Sequence, residues 1–71
     1  MKRKLKIIAD GFETEVPEET TVTQLLIIFG EPLRPDMIVE INGRFIHVKD
    51  YGNRVLKEGD RIEIIHLDIG G

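Results

Sequence analysis

The 71-residue chain contains no cysteine and no tryptophan, and its aromatic side chains are one tyrosine and three phenylalanines. Without cysteine there are no disulfide staples, zinc–thiolate sites, iron–sulfur clusters or cysteine nucleophiles. Any sulfur chemistry the protein joins must draw its sulfur from outside. Long apolar runs are missing too. None approaches the ~20 residues of a membrane span, and the N-terminus shows no signal-peptide core, so the expected location is cytoplasmic and off the membrane. A positive charge balance is also lacking, since 10 basic against 13 acidic residues leave a net charge of −3. Nucleic-acid binders carry a basic footprint over the domain, so no nucleic-acid partner is expected. The basic start, Lys2, Arg3, Lys4 and Lys6, alternates with Leu5 and Ile7 and reads as the solvated face and edge of a strand. There are no repeats, low-complexity segments or linkers. One small domain follows, near the lower limit for independent folding, because a chain this short buries only about 60% of its unfolded surface.

What is present is ordered patterning. Lys4–Ala9 alternates, with Leu5, Ile7 and Ala9 on one face. Asp10-Gly11 suits the positive φ angles of a tight hairpin turn, and Phe12-Glu13-Thr14-Glu15-Val16 alternates again, with Phe12, Thr14 and Val16 together. Pro17 ends that ladder. Thr21 followed by Gln24 matches a capping box, and Val22, Leu25, Leu26 and Phe29 form a helical apolar stripe. Gly30 suits a left-handed helix end, and Pro32 and Pro35 stop the helix from resuming. Two strands joined at Asn42-Gly43 come next, then a less regular stretch from His47 to Leu56. Glu58-Gly59-Asp60 turns the chain into a last strand rich in β-branched residues, Arg61 to Leu67. The order strand, strand, helix, strand, strand, strand predicts a two-layer α+β domain, one main helix over a mixed sheet of about five strands.

Candidate catalytic groups are few. His47 and His66 are far apart in sequence and have no cysteines nearby, so no metal site is expected. Glu18 and Glu19 precede the helix, where negative charge complements its dipole; Glu13 and Glu15 belong to a wet strand face. No carboxylate pair suits acid–base work, and the chain is not expected to be an enzyme. The last strand carries apolar residues on both faces, Ile62 and Ile64 on one and Ile65 and Leu67 on the other. Two readings stand side by side. The stretch His47–Leu56 covers the second face, or Ile65 and Leu67 form a candidate partner-docking patch. Ile27 and Ile28 flank the helix stripe, and one of them is expected to be exposed as a second contact surface.

The sequence then ends Ile-His-Leu-Asp-Ile-Gly-Gly. Glycine adds nothing to a core and costs the most backbone entropy to order, so such an ending is either slack or a device whose useful part is the terminal carboxylate. Length, element order, Val39-Glu40-Ile41-Asn42-Gly43, Tyr51, Val55-Leu56-Lys57-Glu58-Gly59-Asp60, Ile62–Ile65 and terminal Gly70-Gly71 together resemble the ThiS/MoaD sulfur-carrier family. The resemblance covers essentially the whole chain and lies in joint spacing, since the turn motifs are individually generic. It implies the ubiquitin-like β-grasp fold, with a curled sheet around the helix in residues 1–67 and a flexible tail at residues 68–71.

It also implies a mechanism. An adenylating enzyme similar to ubiquitin-activating enzymes uses ATP to place AMP on the Gly71 carboxylate. Sulfur derived from cysteine by a desulfurase replaces the adenylate as a thiocarboxylate, which passes to an acceptor, thiazole synthase in the thiamin pathway. The carrier itself binds no cofactor. Physically, a carboxylate is a poor electrophile because oxide is a poor leaving group. The mixed anhydride supplies a good one, and the partner does the positioning. Gly70 and Gly71 keep the entering tail narrow, with no Cβ to meet tunnel walls. Two departures from the thiamin-type pattern, His47-Val48 in place of Pro-Arg and Asp68 before the glycines, bear on which partner and pathway are served. Alternatives are a molybdopterin-pathway or other sulfur carrier, a ubiquitin-like modifier joined to proteins through Gly71, and a β-grasp interaction module with an inert tail.

Overall fold

Two glycine-containing turns set the register of the sheet. In the computed structural model, which describes residues 3–67, Asp10 and Gly11 take φ of 49° and 87°, and Asn42 and Gly43 take 55° and 81°. Positive φ at both central residues matches the twist of the flanking strands. The first turn joins β1 (Lys4–Ala9) to β2 (Phe12–Pro17), and the second joins β3 (Met37–Ile41) to β4 (Arg44–Ile46). Ala9 faces Phe12 across the first turn and Ile41 faces Arg44 across the second.

Between the hairpins lies α1 (Val22–Ile28). Thr21 and Gln24 form the reciprocal capping box, the Thr21 side chain accepting from the Gln24 amide and the Gln24 side chain accepting from the Thr21 amide. At the other end Gly30 has φ of 68°. The Gly30 amide donates to the Ile27 carbonyl and the Glu31 amide to the Leu26 carbonyl, the two bonds of a Schellman ending. Seven residues form a marginal helix alone; its buried Val22, Leu25 and Leu26 hold it on the sheet.

The fifth strand, β5 (Arg61–His66), enters the middle of a sheet ordered β2-β1-β5-β3-β4. It runs parallel to β1 and antiparallel to β3. Ile7, Ala9, Val16, Val39, Ile41 and Ile62 project toward α1 and form one core with its buried residues, joined by Met37, Tyr51 and Leu56. Thr14 and Val16 turn inward as the alternation requires, but Phe12, on the same strand face, is 74% exposed. It sits at the mouth of the β1–β2 turn, beyond the edge of the core. The stretch from His47 to Leu56 holds a 3-10 turn at Val48–Asp50.

A buried polar knot locks β5 in place. Asp60, 6% exposed, accepts from the Asn42 side-chain amide (3.0 Å) and the Lys57 backbone N–H (2.8 Å), with the Arg54 guanidinium 3.7 Å away. The Asn42 side-chain oxygen in turn accepts from the Arg61 N–H at 3.0 Å. Asp60→Ala removes two part-buried hydrogen bonds to a carboxylate and is expected to destabilise the domain by about 1–3 kcal/mol. Asp60→Asn retains one acceptor oxygen and should lose less. Urea unfolding of both variants checks this, and equal losses would show that the hydrogen bonds are not what Asp60 contributes.

Candidate functional site: the end of the central strand

β5 runs on past the end of its parallel neighbour. β1 pairs it only at Ile8–Arg61 and Ala9–Ile62, after which the Asp10 carboxylate substitutes for a strand, accepting from the Ile64 N–H at 3.0 Å. From Ile65 onward the strand is held from the β3 side. Ile65 lies opposite Ile38 and His66 opposite Met37, and the Leu67 amide donates to the Asp36 carbonyl at 2.7 Å. His66, on the helix side of the sheet, brings Nε2 within 3.2 Å of the Glu31 carboxylate. Leu67 is the last described residue. Residues 68–71, assigned above to the tail, and with them Gly70 and Gly71, lie outside the described residues.

Alternation along β5 turns Ile62 and Ile64 toward the helix and Ile65 away from it. From Tyr51 onward the stretch His47–Leu56 is bonded to the start of α1. Val22 donates to the Arg54 carbonyl, Thr23 to the Tyr51 carbonyl, and Leu56 to the Thr20 carbonyl. These bonds draw the stretch across the start of α1. Ile65 is half-buried beside Ile38, and Leu67 is 39% exposed. Phe45, 53% exposed, extends the apolar surface on β4, its ring packed edge-on against His47 at 4.8 Å. Ile38 and Phe45 also border a groove of about 760 Å³ with Leu33, Met37, Val48 and Tyr51 in its walls. Burial pushes the Tyr51 phenol above its usual pKa, with a backbone hydrogen bond at Val39 pulling the other way, and the charged residues on the groove are Arg34 and Lys49. On the opposite side of the molecule both Ile27 and Ile28 are exposed.

The two histidines are not brought together, His47 stacking on Phe45 and His66 meeting Glu31. Among the described residues no group of three or more His, Cys, Asp or Glu side chains is placed to hold a metal ion. No described helix is long and apolar enough to cross a membrane.

A model of the ThiS family matches residues 3–71. The chain belongs to the ThiS family. Its fold is the ubiquitin-like β-grasp of that family. The crystal structure of the thiamine biosynthesis protein ThiS from Geobacter metallireducens superposes with a TM-score of 0.82 at 25% identity, covering 94% of this chain and 100% of that one. No curated protein matches the chain in sequence. The period of the sequence places β5 and the apolar character of both its faces, but not the contacts of the segment from Glu31 to Asp36 with the strand end. The only signals for them were the paired prolines, which read equally well as helix stops.

Proposed function

We propose that this ThiS-family chain is a cytoplasmic sulfur carrier for thiazole formation in thiamin biosynthesis, with the α-carboxylate of Gly71 as the reacting group. The chain is the substrate of its partners and not a catalyst. An adenylating enzyme of the ubiquitin-activating type joins AMP from ATP to that carboxylate and releases pyrophosphate. Sulfur supplied through a cysteine desulfurase then displaces AMP, leaving a thiocarboxylate for a thiazole synthase. The chain holds no cofactor in this scheme, and ATP belongs to the partner. The observation that carries the proposal is the family match running to Gly71 itself, in a chain whose sequence ends in Gly70 and Gly71. The absence of cysteine fits, since the sulfur is received and handed on.

The test is the intact mass of the protein purified from its native host. A species ending at Gly71 with one oxygen replaced by sulfur, and lost when Gly71 is deleted, is the expected result. A ladder of higher-mass conjugates through Gly71 in place of that species would establish the modifier reading and overturn the carrier.

Docking is assigned to the sheet face around Ile65 and Leu67, which lies beside the point where residue 68 begins. Leu67→Glu places a charge in that patch without touching the core. Its expected effect is a rise of about tenfold in KM for the chain in partner-catalysed ATP–pyrophosphate exchange, the size of a moderate interface contact. Unaltered kinetics from a folded variant would remove Leu67 from the interface.

A further inference from the structure

The last two described residues of the chain are gripped from two directions by one segment. The Asp36 carbonyl takes the Leu67 amide at the strand edge, and the Glu31 carboxylate meets His66 on the helix side of the sheet. Both contacts come from residues 31–36, between α1 and β3, and that segment is itself held at each end. Its start is fixed by the Schellman ending at Gly30, with the Glu31 amide bonded to the Leu26 carbonyl. At its finish the Met37 amide donates to the Arg34 carbonyl at 3.1 Å. The Arg34 guanidinium there lies on both oxygens of Asp36, at 3.1 and 3.4 Å. Pro32 and Pro35 restrict φ in between. Exposure makes these ion pairs weak as sources of global stability. Their arrangement suits a local task, holding a strand end that has lost its β1 neighbour.

We propose that residues 31–36 form a positioning clamp on the root of the tail, with Glu31 and His66 as positioning residues and the Asp36 carbonyl as the final anchor. The clamp fixes where the chain departs from the sheet and therefore how much chain remains to carry the terminal carboxylate into a partner. Four residues, 68–71, follow the anchor, a reach of at most about 14 Å when extended. If the anchor slips, the departure point moves back along β5. The carboxylate then samples a larger volume, and its effective concentration at the partner's nucleotide falls. Once the tail is seated the partner alone sets the geometry of attack. The clamp therefore acts on KM and leaves kcat untouched. This role rests on the adenylation reading given above; the grip on Leu67 does not.

Two variants and two readouts test it. Glu31→Ala removes one grip, and the double replacement Pro32→Gly with Pro35→Gly loosens the segment that carries the other. Amide hydrogen exchange at Leu67 is expected to accelerate about tenfold in each, as for a local opening, with the Asn42 amide of the β3–β4 turn, which donates to the Arg61 carbonyl at the other end of β5, unchanged. In ATP–pyrophosphate exchange with the adenylating partner, KM for the chain should rise about fivefold, the worth of one hydrogen bond, at constant kcat. Glu31→Gln, which keeps an acceptor for His66, should restore KM to within about twofold. Unchanged exchange at Leu67 in both variants would overturn the clamp. Faster exchange with an unaltered KM would overturn its part in presenting the tail. Failure of the carrier reading would show separately, as absence of adenylation in the wild-type chain, while hydrogen exchange still judges the grip.

Discussion

Deletion of Gly71 is expected to reduce acyl-adenylate formation by at least about 10²-fold, since a displacement of one ångström in a reacting group already has that effect. The shortened chain still ends in a glycine carboxylate, of the same intrinsic reactivity, so the defect isolates reach from chemistry. Loss of one extended residue withdraws the carboxylate by about 3.5 Å, as large as the whole distance between reacting atoms in a near-attack geometry. The melting temperature should stay within about 1 °C, as for other changes at chain ends. Every buried hydrophobic residue of the described core lies between Ile7 and Ile62. ATP–pyrophosphate exchange and differential scanning calorimetry on the same preparation check both halves. Retained exchange, or a melting point lowered by several degrees with exchange intact, would remove the terminal carboxylate from its proposed role.

Local signals were the legible part of this sequence, for a physical reason. Asp10-Gly11, Asn42-Gly43, Gly30 and the Thr21–Gln24 box each report a backbone conformation fixed by residues within a few positions. All four occur where the sequence placed them. The apolar period of α1 and the alternation of β1 and β5 gave the core faces in the same way. Features that depend on distant pairing were not legible. Asp60 reads as one residue of a generic Glu-Gly-Asp turn, and only the return of Asn42, 18 positions away, makes it a buried knot. Pro32 and Pro35 read as helix stops, although the segment they stiffen supports residues 66 and 67, some thirty positions on. Phe12 shares a strand face with Thr14 and Val16 by alternation but lies past the core's edge, because alternation gives direction and not depth. The family resemblance implied a mixed sheet, but the parallel pairing of β1 with β5 was not legible, since no local pattern encodes which strands become neighbours. The candidate site has the same division. The face proposed for docking could be read from strand period, while the means of holding the strand end could not.

Leu25→Ala is expected to have the largest effect on stability and the opposite signature from loss of Gly71. Leu25 is fully buried and sits between Val22 and the α1 ending, at the centre of the face that covers the sheet. Truncation removes the transfer energy of three carbons and leaves a cavity that the flanking Val22 and Leu26 cannot fill, for a cost of about 2–5 kcal/mol. A domain of this length has roughly 4–10 kcal/mol in total, so the variant sits near its unfolding threshold. Because α1 has only seven residues, it has little propensity of its own to fall back on, and its detachment exposes the sheet's inner face as a unit. Ile27→Ala, two residues away but 73% exposed, should change stability by no more than about 0.5 kcal/mol. Urea unfolding of the pair separates burial from helix propensity, since both substitutions place alanine in the same helix. A Leu25→Ala loss below about 1 kcal/mol would mean that the helix does not bear on the sheet as described. Adenylation of Leu25→Ala should fall only in proportion to the unfolded fraction and recover on cooling toward the temperature of maximum stability, whereas the chain lacking Gly71 stays folded and inactive at every temperature.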